Sequence, residues 1–235
     1  MKINFTSVGC VPVADLERNE DYARQLGFPQ MEPAAVHRLA VVGGGPSIAG
    51  YIDELAGFDG EVWAINGAFR WCLSRGIDAA FFTIDPQPQA AAHARGASRA
   101  ILATWCHPST FDALYGADIS TVRPTLHGAT SATAAPALAI EAGYREVVFY
   151  GCESSFGEST HAYGNRGVGN LLKVSCNGQE FLTTPDMVMQ AEFLGTLIRA
   201  APRFKERSGG LLAAFIASPE IDVIAATPVI HKALS

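Results

Sequence analysis

Five short apolar runs punctuate the chain: RLAVVGGG (38–45), EVWAIN (61–66), AAFFTID (79–85), AILATW (100–105) and EVVFYGCE (146–153). The apolar residues in each are continuous, not alternating, as in strands covered on both faces. Between them, PSIAGYIDELAGF, GAFRWCLSRG, PQAAAHARGA, HPSTFDALYGA and SATAAPALAIEAGY read as helices. Gly76 and Gly143 stand where a helix stop favours a left-handed residue. This alternation predicts an α/β fold: a Rossmann-like, doubly wound, mainly parallel sheet with helices on both faces.

The pattern changes after about residue 165. LLKVSCNGQEFLTT reads as a β-hairpin turning at Asn177-Gly178. PDMVMQAEFLGTLIRAA follows as a helix opened by Pro185, with Met187, Ala191, Leu194 and Ile198 along one face. SGG at 208–210 then breaks the chain before a last helix and a strand, IDVIAA. The expected organisation is an N-terminal extension (1–36), a Rossmann-like nucleotide-binding domain (37–205), and a C-terminal helix and strand (206–235) that complete it. The first 35 residues carry the weakest pattern. No repeat or low-complexity segment is present.

Composition narrows the partners. The chain has 235 residues, 49% hydrophobic and 17% charged, enough apolar content for a sizeable core. A net charge of -6 argues against a nucleic-acid partner, which would call for a basic face. No apolar stretch reaches the ~18–20 residues of a membrane span, and the first residues turn polar too early for a signal peptide. Five scattered cysteines (Cys10, Cys72, Cys106, Cys152, Cys176) without a CxxC pair read as reduced thiols. The expectation is a soluble cytoplasmic protein. LLAAFIA near the C-terminus reads either as core or as a homo-oligomer interface.

In an open parallel sheet, ligands bind beyond the carboxyl ends of the strands. The first strand runs into Gly43-Gly44-Gly45-Pro46-Ser47, a turn that either faces an anion at a helix start or simply joins strand to helix, with Ser47 as cap. It lacks the Lys-Ser/Thr pair of a Walker loop. The second strand ends at Asn66, whose amide offers a donor and an acceptor to a base or ribose, or else caps a helix. The third ends at Asp85, a candidate Mg²⁺ ligand or another cap. HGATS (127–131) opens a helix with Gly128, Thr130 and Ser131 as a second phosphate candidate. The last core strand runs into GCESSFGESTHAYG, bringing Glu153 and His161 to the same edge as acid–base candidates. Cys152 there lacks a nucleophile motif, and Trp63, Trp71 and Trp105 read as core or crevice wall.

The order VVGGGPSI, WAIN, FFTIDP, GATSATAAPALAIEAGYREVVFYGCE, STHAYG, NGQEFLTTPDMVMQAEFLGTLI resembles the 6-hydroxymethylpterin diphosphokinase-like family, also found in motility-associated factor proteins. The resemblance spans about residues 38–200. It implies ATP and Mg²⁺, with diphosphate passed to a hydroxymethyl, pterin-like acceptor. Carried onto this chain, it makes Gly43, Gly45, Pro46 and Ser47 nucleotide contacts, Asn66 a base or ribose contact, and Asp85 a metal or phosphate contact. Gly128 and Thr130 would serve a second phosphate turn, and Glu153 and His161 the reacting centre, with Glu153 also beside the metal. Glu153 departs from the family, standing where Asp is usual. Fixed cations are scarce; Lys173 and Arg166 are nearest in sequence. The GxGPS, Asn and His layout also resembles bacterial CMP-sialic-acid-dependent sialyltransferases. Two enzyme readings follow, diphosphotransfer from ATP or glycosyl transfer from a nucleotide sugar with His161 as base. A third is a non-catalytic nucleotide-binding module.

Overall fold

A computed structural model describes residues 11–124, 130–157, 161–162 and 170–227. Its strands are β1 (Arg38–Val42), β2 (Glu61–Ile65), β3 (Ala80–Thr83), β4 (Arg99–Ala103), β5 (Asp118–Val122), β6 (Glu146–Tyr150), β7 (Leu171–Cys176), β8 (Gln179–Thr183), β9 (Phe204–Glu206) and β10 (Ile221–Thr227). Its helices are α1 (Val13–Leu26), α2 (Ile52–Ala56), α3 (Gly67–Leu73), α4 (Ala91–Ala94), α5 (Pro108–Asp112), α6 (Ser131–Glu141), α7 (Pro185–Ala200) and α8 (Gly210–Ala217). Short 3₁₀ turns, Pro46–Tyr51 and Pro88–Ala90, lead into α2 and α4.

Seven strands form one sheet in the order β5-β4-β3-β2-β1-β6-β9, every pair parallel. The continuous apolar runs have the reason anticipated from the sequence: Trp63, Phe81, Phe82, Phe149 and Tyr150 are fully buried. Each such side chain contributes about 1.5–3 kcal/mol by leaving water. Two strands carry no such run. In β5, Asp118, Ser120 and Thr121 interrupt the apolar residues, and β9 reads Phe-Lys-Glu. Both lie at the ends of the sheet, where one side has no neighbouring strand of this sheet to cover it.

The N-terminal region contains α1, and its Ala23 joins the main core. Asn19 Nδ2 donates to the Trp105 carbonyl at 3.0 Å, and Phe28 stacks on Phe111 at 5.9 Å. Gln30 bridges to Thr121, laying the chain along the outer side of β5.

A second sheet, β10-β7-β8, is antiparallel. The β7–β8 turn is Asn177-Gly178, with φ 49° and 71°, the left-handed pair a two-residue hairpin needs. Leu172, Val174, Val188, Ala191, Leu211 and Phe215 form a small core beneath it. The apolar side chains of α8 are therefore spent in the fold, Leu211, Ala214 and Phe215 in this core and Leu212 in the main one.

Strands β1 to β5 step outward in one direction, and the chain then returns to lay β6 on the other side of β1. The order reverses between β1 and β6. That is the switch point at which open sheets of this class form their ligand crevice. Among the described residues no helix is long and apolar enough to cross a membrane.

Candidate functional site at the switch point

The turns leaving β1 and β6 are pressed together. Gly43 N–H donates to the Tyr150 carbonyl at 2.7 Å, and Gly45 N–H to the Gly151 carbonyl at 2.9 Å. A Cβ on Gly43 would stand 2.4 Å from the Gly151 oxygen. One on Gly151 would stand 2.6 Å from the Gly43 oxygen, at a φ of +63°. Gly43 is explained by backbone meeting backbone, and Gly151 by the same contact and by the Ile48 side chain, 2.3 Å from where its Cβ would stand.

The third glycine has a different neighbour. A Cβ on Gly45 would fall 1.4 Å from Glu153 Oε2, so the Glu153 carboxylate occupies the hollow of the turn. Its Oε1 accepts the Ser47 N–H at 2.6 Å. The donor expected to face a ligand anion is thus held by a carboxylate of the chain itself. Glu153 is only 6% exposed. Both its Oε2 and the Ser47 hydroxyl are sealed from solvent without a well-formed hydrogen bond among the described residues. Burial pushes the Glu153 pKa up and Glu206 adds to the push, while the contacts with Ser47 oppose it. Ser47 does not cap: Gly45 holds the cap position, and no side chain fills the role.

Gly45 and Glu153 must therefore behave as a coupled pair. Gly45→Ala alone destabilises by about 1–3 kcal/mol through overpacking. In a Glu153→Ala background most of that cost disappears, because the clashing carboxylate is gone. Chemical denaturation of the two single variants and the double variant measures the coupling; simple additivity would mean the overlap is relieved elsewhere.

Asn66 closes β2 with φ 47° and ψ -122°. Glycine adopts this geometry freely, whereas a side chain there costs roughly 1–3 kcal/mol. The flanking Ala64, Gly67 and Ala68 are buried and leave room for the abrupt turn from strand to helix. Asn66 stands at the cap position of α3, yet its side chain makes no capping bond. Its Oδ1 is sealed and unpartnered among the described residues. The backbone strain is not offset by a hydrogen bond at that oxygen.

The other anticipated residues are engaged in the fold. Asp85 Oδ1 accepts the Gln87 N–H at 2.9 Å, ordering the turn into Pro88–Ala90. Thr130 caps α6 in a capping box with Thr133, and its hydroxyl donates to Gln190 Oε1 at 2.9 Å. Ser131 Oγ accepts the Ile84 N–H at 3.2 Å, tying α6 to the end of β3. His161 is half-buried beside the glycine turn, since Ala162 N–H donates to the Gly44 carbonyl at 3.0 Å. Gly128 and Arg166 lie outside the described residues. Lys173 pairs with Glu180 across the hairpin at 2.6 Å.

Burial raises the Cys152 thiol far above its ordinary range, which leaves it unreactive. Trp63 is core, Trp71 is buried beneath Arg75, and Trp105 Nε1 donates to the Ile84 carbonyl at 2.7 Å.

Three positioning residues come from elements distant in sequence. Thr183 Oγ1 donates to the Ser154 carbonyl at 2.7 Å, and Gln190 Nε2 to the Ser154 hydroxyl at 3.1 Å. Ser208 Oγ accepts the Cys152 N–H at 2.9 Å. Gln190 thus links the start of α6 to the segment after β6. On an amphipathic helix a glutamine looks like a solvent residue, and nothing local marks it as bridging two turns.

Among the described residues no group of three or more His, Cys, Asp or Glu gathers as a metal site would. Glu153, turned into the glycine hollow with its second oxygen sealed, offers no oxygen to a metal as it stands.

No family model matches the chain, and no curated protein matches it. Among solved structures it is similar to the Maf glycosyltransferase from Magnetospirillum magneticum, with 19% sequence identity and a TM-score of 0.57. The likeness is one of fold. The match covers 86% of this chain and 38% of that one, so this chain spans well under half the length of the glycosyltransferase.

Proposed function

We propose that the chain is a transferase that takes a glycosyl group from a nucleotide sugar held at the switch point between β1 and β6. The observation that carries this reading is Asn66, a strained residue at a strand end beside the crevice, whose carboxamide oxygen has no partner among the described residues. Strain kept without a local hydrogen bond is typical of a residue held for a ligand. Rotation of the half-buried side chain would bring that sealed oxygen to the N–H or O–H of a base or ribose. The fold likeness to a glycosyltransferase supports the same reaction class.

In this reading His161, beside the glycine turn, takes the proton from the acceptor hydroxyl as that oxygen attacks the sugar carbon and the nucleotide leaves. Glu153 and the glycines shape the floor on which the donor rests. Diphosphotransfer from ATP would need Mg²⁺ near Asp85 and Glu153. The Glu153 carboxylate, committed to Ser47, is not free to hold that ion as it stands.

The test is nucleotide release from a panel of nucleotide sugars, with and without simple hydroxyl acceptors. Wild-type protein should release nucleotide from at least one donor, and His161→Ala should lower the rate by about 10²-fold or more. Tight donor binding without any turnover would instead make the chain a non-catalytic binding module.

A further inference from the structure

A second concavity lies apart from the switch point, where the end of α1 and residues 27–30 meet the carboxyl ends of β4 and β5. Its volume is about 340 Å³, at the lower end of the range for small-molecule sites. Phe28 and Ala23 supply apolar wall, Thr104 supplies a hydroxyl, and two arginines, Arg24 and Arg123, line the cavity together with Glu20. That pairing stands out in a chain with only 17 basic residues and a net charge of -6.

The two guanidinium groups are lightly committed. Arg123 meets Glu20 through one contact at 3.4 Å, and Arg24 meets Asp21 through one contact at 2.7 Å. Both arginine side chains are 73% exposed. A guanidinium has five N–H donors in a planar fork that matches an oxyanion. Exposed ion pairs of this kind exchange readily, so an incoming anion can share or replace the carboxylate. Glu20 is the less exposed partner, at 20%, and itself lines the cavity 3.5 Å from the Thr104 hydroxyl, so a bound anion must draw Arg123 away from it.

We propose that this cavity binds a small molecule carrying an oxyanion, a phosphate monoester or a carboxylate, on a compact hydroxylated body. Arg123 and Arg24 grip the anion, Phe28 and Ala23 line its apolar side, and Thr104 meets a hydroxyl. The cavity opens on the same edge of the sheet as the switch point. From β1 to β4 is three strand spacings, roughly 14 Å. At that distance from His161 the cavity is a separate ligand site, not the seat of the reacting acceptor hydroxyl. Binding of the anion there does not rest on the proposed function.

The experiment is a calorimetric titration of the full chain with two probes, glycerol 3-phosphate and gluconate, in separate arms. Saturable binding of either supports the site, and which probe binds identifies the oxyanion. Arg123→Gln should weaken that binding about tenfold, and Arg24→Gln with Arg123→Gln should abolish it, with melting temperatures unchanged. Nucleotide binding at the switch point should be the same in these variants, so failure here is separable from failure of the transferase reading. No binding of either probe, or binding that survives in the double variant, overturns the proposal.

Discussion

Glu153→Gln should stabilise the protein at neutral and alkaline pH, and the gain should shrink as the pH falls. The wild-type carboxylate is buried, has one oxygen without a partner among the described residues, and is pushed toward its neutral form by burial and by Glu206. Its folded-state pKa therefore lies above the unfolded one. Such a group adds stability in full below the unfolded pKa, and that contribution is lost as the pH climbs through the folded value. Glutamine keeps the oxygen that accepts the Ser47 N–H, carries no charge, and places an N–H₂ where the sealed Oε2 now stands. The expected gain at alkaline pH is about 1–3 kcal/mol, from removing a buried charge that its surroundings compensate only in part. Paired denaturant melts of the two proteins from about pH 5 to about pH 9 isolate this group, because other titrations cancel in the difference. A difference that does not vary with pH, or a loss at every pH, would mean that the carboxylate is not held as described.

Asn66→Gly should move stability and ligand binding in opposite directions. Glycine adopts φ 47° and ψ -122° without the Cβ crowding that asparagine meets. Relief of about 1–3 kcal/mol of strain outweighs the extra ~0.5–1 kcal/mol of backbone entropy, for a net gain near 1 kcal/mol. The same change removes the carboxamide, and nucleotide affinity should fall about tenfold, some 1.4 kcal/mol. Melting curves and titrations on one preparation read both quantities. A more stable protein with unchanged affinity would show that the carboxamide does not meet the nucleotide.

The strands at the centre of the sheet were legible because a buried parallel strand must be continuously apolar, as β1, β2, β3, β4 and β6 are. At the margins, β5 and β9 are mixed with polar residues and give no such signal. The hairpin was legible from Asn177-Gly178, where the turn itself selects the residues. Chain position alone brought Gly43, Asn66 and Glu153 near one edge. Sequence does not show, however, that a side chain a hundred residues away fills a glycine hollow. The glycines of GGGPS read equally as a seat for phosphate or for Glu153, since both need an absent Cβ and a free N–H. The roles of Thr130 and Ser131 were half visible: hydroxyls at a helix start predict caps, but not the bonds that tie them to Gln190 and Ile84.

The most direct test of the account is a calorimetric titration of wild-type protein and of Asn66→Gly with CMP, CTP and ATP, each with and without Mg²⁺. The account predicts saturable binding of a cytidine nucleotide that does not require the metal and that Asn66→Gly weakens about tenfold. Binding of ATP alone, and only with Mg²⁺, would contradict the sugar-transfer reading in favour of diphosphotransfer. No binding of any nucleotide would contradict the central claim that this switch point is a nucleotide site.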